Sequence, residues 1–370
     1  MPKAYAMASR RATTRQVGRN RVTYCDERTM GMSMAESPLR WGILGVAKIN
    51  RRLMPAFRDS NTATVVGIAS RSLEKAAAFA KEFDIPRPYG SYETLLADPE
   101  IDCIYNPLPN ALHDEWTRKA ADAGKHILCE KPLTTDAASA AKLVAYCRAK
   151  GVRLMDGFMW PHHPRTHKIR QLLNDGAIGD VKKVNAAFTF DLAGLPTDNI
   201  RMQPDAGGGG LLDVGCYTTY AIRWWMGAEP VRAYAKAVYA NGVDVAMSGV
   251  LTFADGRTAN FDCGFTHPLR TWVEIVGTKG VIRIPNQWIP DGTAAFEIHK
   301  QDGDFDQTVE VVATPGQNQM VHMIDDFAAA VREGREAVPN PDEAIRSLRA
   351  MEALARSARE GIEVPVSTGE

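Results

Sequence analysis

The stretch LRWGILGVAKINRRLMPAFRD, residues 39–59, reads as a short apolar strand, a glycine turn and a helix, and that order decides the fold. On the fingerprint of a dinucleotide-binding turn, Gly45 takes the tight-turn position, Ala47 the close-approach position and Asn50 the helix-packing position. The match is imperfect, because a glycine after a first strand also serves a plain turn. Its context supports the nucleotide reading: the turn follows the first strand and opens a helix, whose free amides suit a phosphate.

The same rhythm continues outward. ATVVGIAS (63–70) is β-rich and precedes the alanine-rich amphipathic helix SLEKAAAFAKEF (72–83). IDCIYNPL (101–108) is a strand, followed by a helix over 110–124; KHILCE (125–130) is another, followed by a helix over 136–151; VRLMDG (152–157) is the next. Short strands alternating with helices of ten to fifteen residues predict βαβ units and a parallel sheet. After about residue 160 the rhythm changes. A helix over 166–176 leads to the strand VKKVNAAFTF (181–190), and the run AGGGGLLDVGCYTTYAIRWWMG (206–227) opens a helix. β-like runs follow without long helices between them, one turning at Asp255–Gly256, which predicts an α+β domain on a mostly antiparallel sheet. In the last helix Asn340 is expected as N-cap, Pro341 at the first position and Glu343 as the return arm of a capping box. The expected organisation is an extension (1–37), a Rossmann domain (38–158), an α+β substrate and oligomerisation domain (159–340), and a C-terminal helix with its tail (341–370) that packs back on the Rossmann domain.

Composition excludes some partners. Hydrophobic residues make up 45% and charged ones 24%, as in ordinary globular proteins, and formal net charge is zero. No overall field therefore favours nucleic acid or a membrane surface. No apolar run reaches the ~18 residues of a membrane span. Six cysteines form no CxxC pair, and several sit inside apolar runs, so reduced, packed thiols and a cytoplasmic location are expected. Residues 1–37 carry seven Lys/Arg against three Asp/Glu and no sustained apolar period. A disordered extension or an early start upstream of Met30, Met32 and Met34 is expected; an organelle transit peptide is the alternative.

The second strand ends in Ser70 and Arg71, near where an NAD site carries an acid for the ribose hydroxyls. An acid would repel a 2′-phosphate, whereas Ser–Arg can hydrogen-bond and pair with it. A hydrogen bond to a charged group contributes roughly 1.5–3 kcal/mol, a ten- to hundredfold preference, so NADP is expected over NAD. A surface arginine at a strand end would give the same pattern.

KHILCEKPLTT (125–135) ends a core strand in two opposite charges and a proline, which fits a lysine placed at the ligand edge of a sheet. With WGILGVAKIN, PLPNALH, CEKP, FMWPHHP, NIRMQPDAGGGGLLDVGCYTTY and VGTKGVIRIP, the chain from about 39 to 365 resembles the Gfo/Idh/MocA oxidoreductases. The pattern is most similar to the branch of NADP-dependent D-xylose dehydrogenases, dihydrodiol dehydrogenases and glucose–fructose oxidoreductases.

The resemblance implies roles. Lys131 would stand beside the nicotinamide and the reacting hydroxyl, Glu130 would fix the loop and contact the nicotinamide ribose, and Pro132 would follow a cis bond. Lys48 and Ile49 in the first turn, with Pro107, Asn110 and His113, would complete the cofactor site. Asp213 and Tyr217 are four apart, so a helix sets them on one face. Tyr217 would be acid and base with Lys131, and Asp213 would orient substrate or lysine. A free tyrosine titrates near ~10; a neighbouring ammonium is expected to lower it by about two to three units, worth roughly 3–4 kcal/mol. Without the lysine, Asp213 and Tyr217 would read as plain helix residues.

Trp160 and His163 are expected to line or buttress the substrate pocket and Arg201 to touch substrate, although a solvated surface arginine is an equal reading. Pro161 and His162 depart from the arginine and aromatic common in this branch, which puts substrate choice in doubt. His163 and His167 have metal-ligand spacing without an acidic partner cluster, so no metal is expected. The implied substrate is a pyranose or related cyclic polyol, with aldose C1 oxidation to the lactone as the leading reaction; dihydrodiol oxidation, or reduction of a 1,5-anhydro or keto sugar, is the alternative. The resemblance also implies a homodimer or homotetramer through the C-terminal sheet. A non-catalytic NADP-binding sensor is the rival from a different class.

Overall fold

A computed structural model describes residues 37–290, 294–303, 306–314, 316 and 318–369, together with strand backbone at 14–17 and 20–24. Its first sheet has six parallel strands in the order 87–89, 63–69, 39–44, 103–106, 126–129, 154–156. Alternation along the first strand feeds two cores. Trp41 and Ile43 pack with Leu53, Phe57 and Phe79 of the helices on one face, and Leu44 joins Ile104, Trp116 and Leu143 on the other. Trp41 meets Phe57 at 5.2 Å and Phe327 at 5.5 Å between ring centroids. A sheet covered on both faces needs the continuous apolar strands that this sequence supplies.

The second sheet has twelve strands and is mostly antiparallel. Strand 181–191 lies near its middle, parallel to 258–264 and antiparallel to 273–277. Ala233 and Ala235 are fully buried, and such small side chains let the helix Asp342–Glu360 lie close against their strand. Ala235 N donates to Ser357 Oγ of that helix at 3.0 Å. The same helix reaches the first sheet's helices: Glu352 accepts from Ala137 N at 2.7 Å and Asp342 from Arg148 Nη1 at 3.0 Å. No described helix is long and apolar enough to cross a membrane.

Two local expectations need correction. The capping box at Glu343 does not form. Asn340 Oδ1 accepts from Asp342 N at 2.9 Å, but the Glu343 carboxylate turns to Arg346 and to the buried Arg223, 2.8 Å away. A buried guanidinium demands a carboxylate more strongly than one helix-end amide does. The extension was expected to lack structure, yet 14–17 and 20–24 pair antiparallel and 20–24 adds parallel to 306–314. An open sheet edge offers unpaired backbone groups that a β-competent segment can complete. The rest of 1–36, including Cys25, lies outside the described residues. The other five cysteines are free and buried, and burial pushes the Cys147 thiol up to about 12.

Candidate active site

Strand order reverses direction in sequence between 39–44 and 103–106, and the crevice opens at their carboxyl ends, as it does at switch points of doubly wound sheets. A cleft of ≈ 690 Å³ lies there. Gly45, Ala47, Lys48 and Ile49 line it from the first turn, Ser70 and Arg71 from the second strand end, and Pro107 from the third. Gly45 has φ +87, and a Cβ there would stand 2.9 Å from Leu108 Cδ2, so the turn requires glycine. Asn50 is fully buried and its Nδ2 donates to Gly45 O at 2.8 Å. The third fingerprint position thus braces the turn by a hydrogen bond as well as by packing.

Not every expected cofactor residue faces the cleft. His113 is fully buried, with Nδ1 2.8 Å from Pro132 O and Nε2 2.7 Å from Leu108 O. Burial pushes its imidazole down to about 4, while the two carbonyls each favour a protonated nitrogen facing them, and the ring is wedged between two site loops. Its place is behind the site. Asn110 Nδ2 donates to Gly207 O at 2.8 Å, which joins the first domain to the glycine run of the second. Glu130 Oε1 accepts from Tyr105 OH at 2.7 Å, and burial raises its carboxyl against the opposing charge of Lys131.

Lys131 lies two residues beyond the end of strand 126–129, and its bond to Pro132 is cis. Its Nζ donates to Asp213 O at 2.7 Å and Asp213 Oδ1 at 3.2 Å, and lies 5.1 Å from the Tyr217 ring centroid. The three residues are therefore brought together. Asp213 sits in a π-helical turn, 211–215, that runs into the helix Cys216–Met226 bearing Tyr217; such turns recur at functional sites. Burial disfavours the Lys131 ammonium, but the surrounding groups, Asp213 first and then Tyr217, Cys216 and Glu130, together outweigh it and hold the ammonium above its ordinary range. Asp213, though buried, is held below the usual carboxylate range by Lys131 and Arg201.

The expected lowering of the Tyr217 phenol is not what its surroundings favour. Burial pushes the phenol up, and the nearby Lys131 charge opposes this without overcoming it. The ammonium is engaged by Asp213, and the phenol's own hydrogen bond is a weak one to Met159 Sδ at 3.6 Å.

The substrate residues also divide. Trp160 is fully buried among Tyr220, Trp224, Trp225 and Trp288, and Trp288 in turn packs on Tyr217 at 5.6 Å. It buttresses from one layer behind. His163 is buried too, and its Nδ1 accepts from Arg165 N at 2.9 Å as the N-cap of helix Pro164–Asn174. Among the described residues no three His, Cys, Asp or Glu converge as metal ligands. Arg201 does line the cleft, but its Nε donates to Asp213 Oδ2 at 2.6 Å. The far wall, Pro196 and Asp198–Arg201, was flagged in the sequence only from Asn199 on, by the NIR motif; it is a short turn with local hydrogen bonds and no periodic pattern to place it against the cleft.

Asp244 was missed as well. It accepts from Leu211 N at 2.6 Å across the start of the π turn, although burial pushes its carboxyl up to about 6. Its sequence neighbourhood reads as an ordinary strand start. Asp244→Ala should lower unfolding free energy by about 1–3 kcal/mol by leaving a buried amide unpaired, measured by denaturant titration. An unchanged midpoint would remove Asp244 from this role.

Two family models match the chain: "Oxidoreductase family, NAD-binding Rossmann fold" over residues 39–158, and "GFO/IDH/MocA C-terminal domain" over 166–283. The chain is 38% identical over 330 residues to a D-xylose 1-dehydrogenase (NADP(+)) of Haloferax volcanii, covering 88% of this chain and 99% of that one. It is 38% identical over 256 residues to a trans-1,2-dihydrobenzene-1,2-diol dehydrogenase of Xenopus tropicalis, covering 68% and 77%. Among solved structures, a 3-ketoreductase from Actinomadura kijaniata in complex with NADP and TDP-benzene superposes with TM-score 0.80 at 33% identity, covering 86% and 98%. The parallel-sheet domain, the antiparallel partner sheet and these matches agree: the chain belongs to the Gfo/Idh/MocA family of oxidoreductases.

Proposed function

We propose that this oxidoreductase is an NADP-dependent dehydrogenase acting on a secondary or hemiacetal hydroxyl of a pyranose or related cyclic polyol. The observation that carries the reading is Lys131, paired with Asp213 and 5.1 Å from the Tyr217 ring, joined through Arg201 to a cleft of dinucleotide-binding design. The cleft fits the cofactor. A tight turn that only glycine allows opens a helix, and Ser70 and Arg71 line the place where an acid would reject a 2′-phosphate. The NADP-dependent xylose dehydrogenase and the NADP-bound ketoreductase among the relatives support the same cofactor.

When bound, NADP accepts or supplies the hydride. The chain's part is the proton. Lys131 presents an ammonium that polarises the reacting oxygen, and Tyr217 holds a proton on its phenol oxygen. In the reducing direction that proton passes to the substrate oxygen. In the oxidising direction the phenol must first release its proton to solvent, at a cost that Lys131 lowers by favouring the phenolate, and the phenolate then takes the substrate hydroxyl's proton. Asp213 fixes the lysine through two hydrogen bonds.

The high-held phenol favours a second reading, reduction of a keto sugar, and the similarity to a 3-ketoreductase supports it. A panel of aldoses, inositols and dihydrodiols with NADP, and keto sugars with NADPH, decides between the two. Stoichiometric NADP binding without turnover on any of them would instead favour a sensor. Arg71→Ala should cut the preference for NADP over NAD about ten- to hundredfold by removing a charged hydrogen bond. Retained preference in the ratio of kcat/KM would refute the phosphate role. Exposed Val238 and Leu269 on the second sheet, 61% and 70% accessible, support its assignment as the face of a dimer or tetramer.

A further inference from the structure

We propose that Arg201 is a positioning residue that holds Asp213 and balances its charge, so that Lys131 remains available to Tyr217 and the reacting oxygen. The inference rests on the acid–base reading above and assigns to it a residue that reacts with nothing. Asp213 is shared: Oδ2 lies 2.6 Å from Arg201 Nε, and Oδ1 lies 3.2 Å from Lys131 Nζ. The arginine has the shorter hold. The carboxylate side chain is only 15% exposed, so these contacts act with little screening by water.

The charges around the phenol explain why a second cation is needed. Lys131 faces Tyr217 from the strand end, Glu130 and Tyr105 from the first sheet, and Asp213 and Cys216 from its own helix. Burial pushes up the Cys216 thiol, the Tyr105 phenol and the Glu130 and Asp156 carboxyls, whereas Lys131 and Arg201 hold Asp213 below the usual carboxylate range. Asp213, 3.2 Å from the ammonium, is thus the carboxylate that bears most directly on Lys131. Arg201, 2.6 Å from its other oxygen, offsets that charge; without it Asp213 would draw more fully on the ammonium and work against any phenolate or developing oxyanion.

The backbone is arranged to present this side chain. Arg201 N donates to Asn199 Oδ1 at 3.1 Å, and Arg201 O accepts from Gly209 N at 2.9 Å. Gly208 leaves room for that contact, since a Cβ there would sit 2.5 Å from Arg201 O. The guanidinium lies over Phe190 at 5.7 Å. Both ends of the residue are thus fixed on a strap that crosses the cofactor cleft, beside the helix start that carries Asp213.

The test compares Arg201→Gln and Arg201→Lys with the full-length wild type. In the oxidising direction the apparent pKa governing kcat should rise by about one unit in Arg201→Gln, with kcat near neutrality about tenfold lower, because one unit is a factor of ten. Arg201→Lys should recover most of this shift, and NADP affinity by fluorescence titration should stay within about threefold of wild type in both, since the charge acts on the proton step. An unshifted pH profile, or a loss explained by weakened NADP binding alone, overturns the proposal. A crystal structure of Arg201→Gln gives a readout free of turnover. The Asp213 carboxylate should close on Lys131 from its present 3.2 Å, and an unmoved carboxylate would sink the idea. If Lys131→Ala keeps full turnover, the acid–base reading fails by itself, and the position of Asp213 still decides Arg201.

Discussion

Lys131→Ala should lower kcat about 10³-fold while NADP still binds, because removing a positioned acid–base group typically costs 10²–10⁴. The ammonium is a largely buried charge whose side-chain contacts lie in the site: two oxygens of Asp213 and the face of Tyr217. The fold should persist, because Asp213 keeps Arg201 on its other oxygen and is not left as a bare buried carboxylate. Lys131→Arg should not restore activity, since a planar fork cannot replace a compact point donor at two converging oxygens. The check is steady-state kinetics beside an NADP titration. Turnover within tenfold of wild type in Lys131→Ala would remove the lysine from the reaction.

Tyr217→Phe is the second large effect, and it separates chemistry from stability. The variant should lose about 10²–10³ in kcat through loss of the proton donor, with KM for NADP little changed. Its thermal midpoint should hold or rise slightly. The hydroxyl's partner is a thioether sulfur at 3.6 Å, a weak acceptor, so deleting it frees a poorly satisfied buried group. The ring keeps its neighbours Phe158 at 5.0 Å, Phe188 at 5.2 Å and Trp288 at 5.6 Å. Normal melting with lost turnover is the expected pair of results. Retained turnover would assign proton transfer to another group, and collapse of the fold would show that the hydroxyl serves packing.

Most of the architecture was legible because it depends on local regularities. A strand that ends in Gly45 and opens a helix, repeated along the chain, specifies parallel pairing, and the loss of helices after residue 160 specifies the change to antiparallel strands. Lys131 stood out because charges and proline end a core strand, and Arg71 because a strand end lacked an acid. His113 misled for a related reason: a motif gives a residue's neighbourhood in the chain but not the direction of its side chain. It is fully buried behind the site it was expected to line.

By itself, then, the sequence determined the fold class, a parallel-sheet Rossmann part followed by a mostly antiparallel sheet, and it singled out a lysine, an aspartate and a tyrosine that the fold brings together. Only tertiary structure decided how those groups share charge. Whether Tyr217 is phenol or phenolate depends on burial from all sides and on Asp213 engaging Lys131, 82 residues away in the chain. Asp244 and the strap bearing Arg201 act across gaps of 33 and 12 residues, through single hydrogen bonds that leave no periodic trace. Desolvation and charge pairing are properties of what surrounds a group in space, and chain order records only its immediate neighbours.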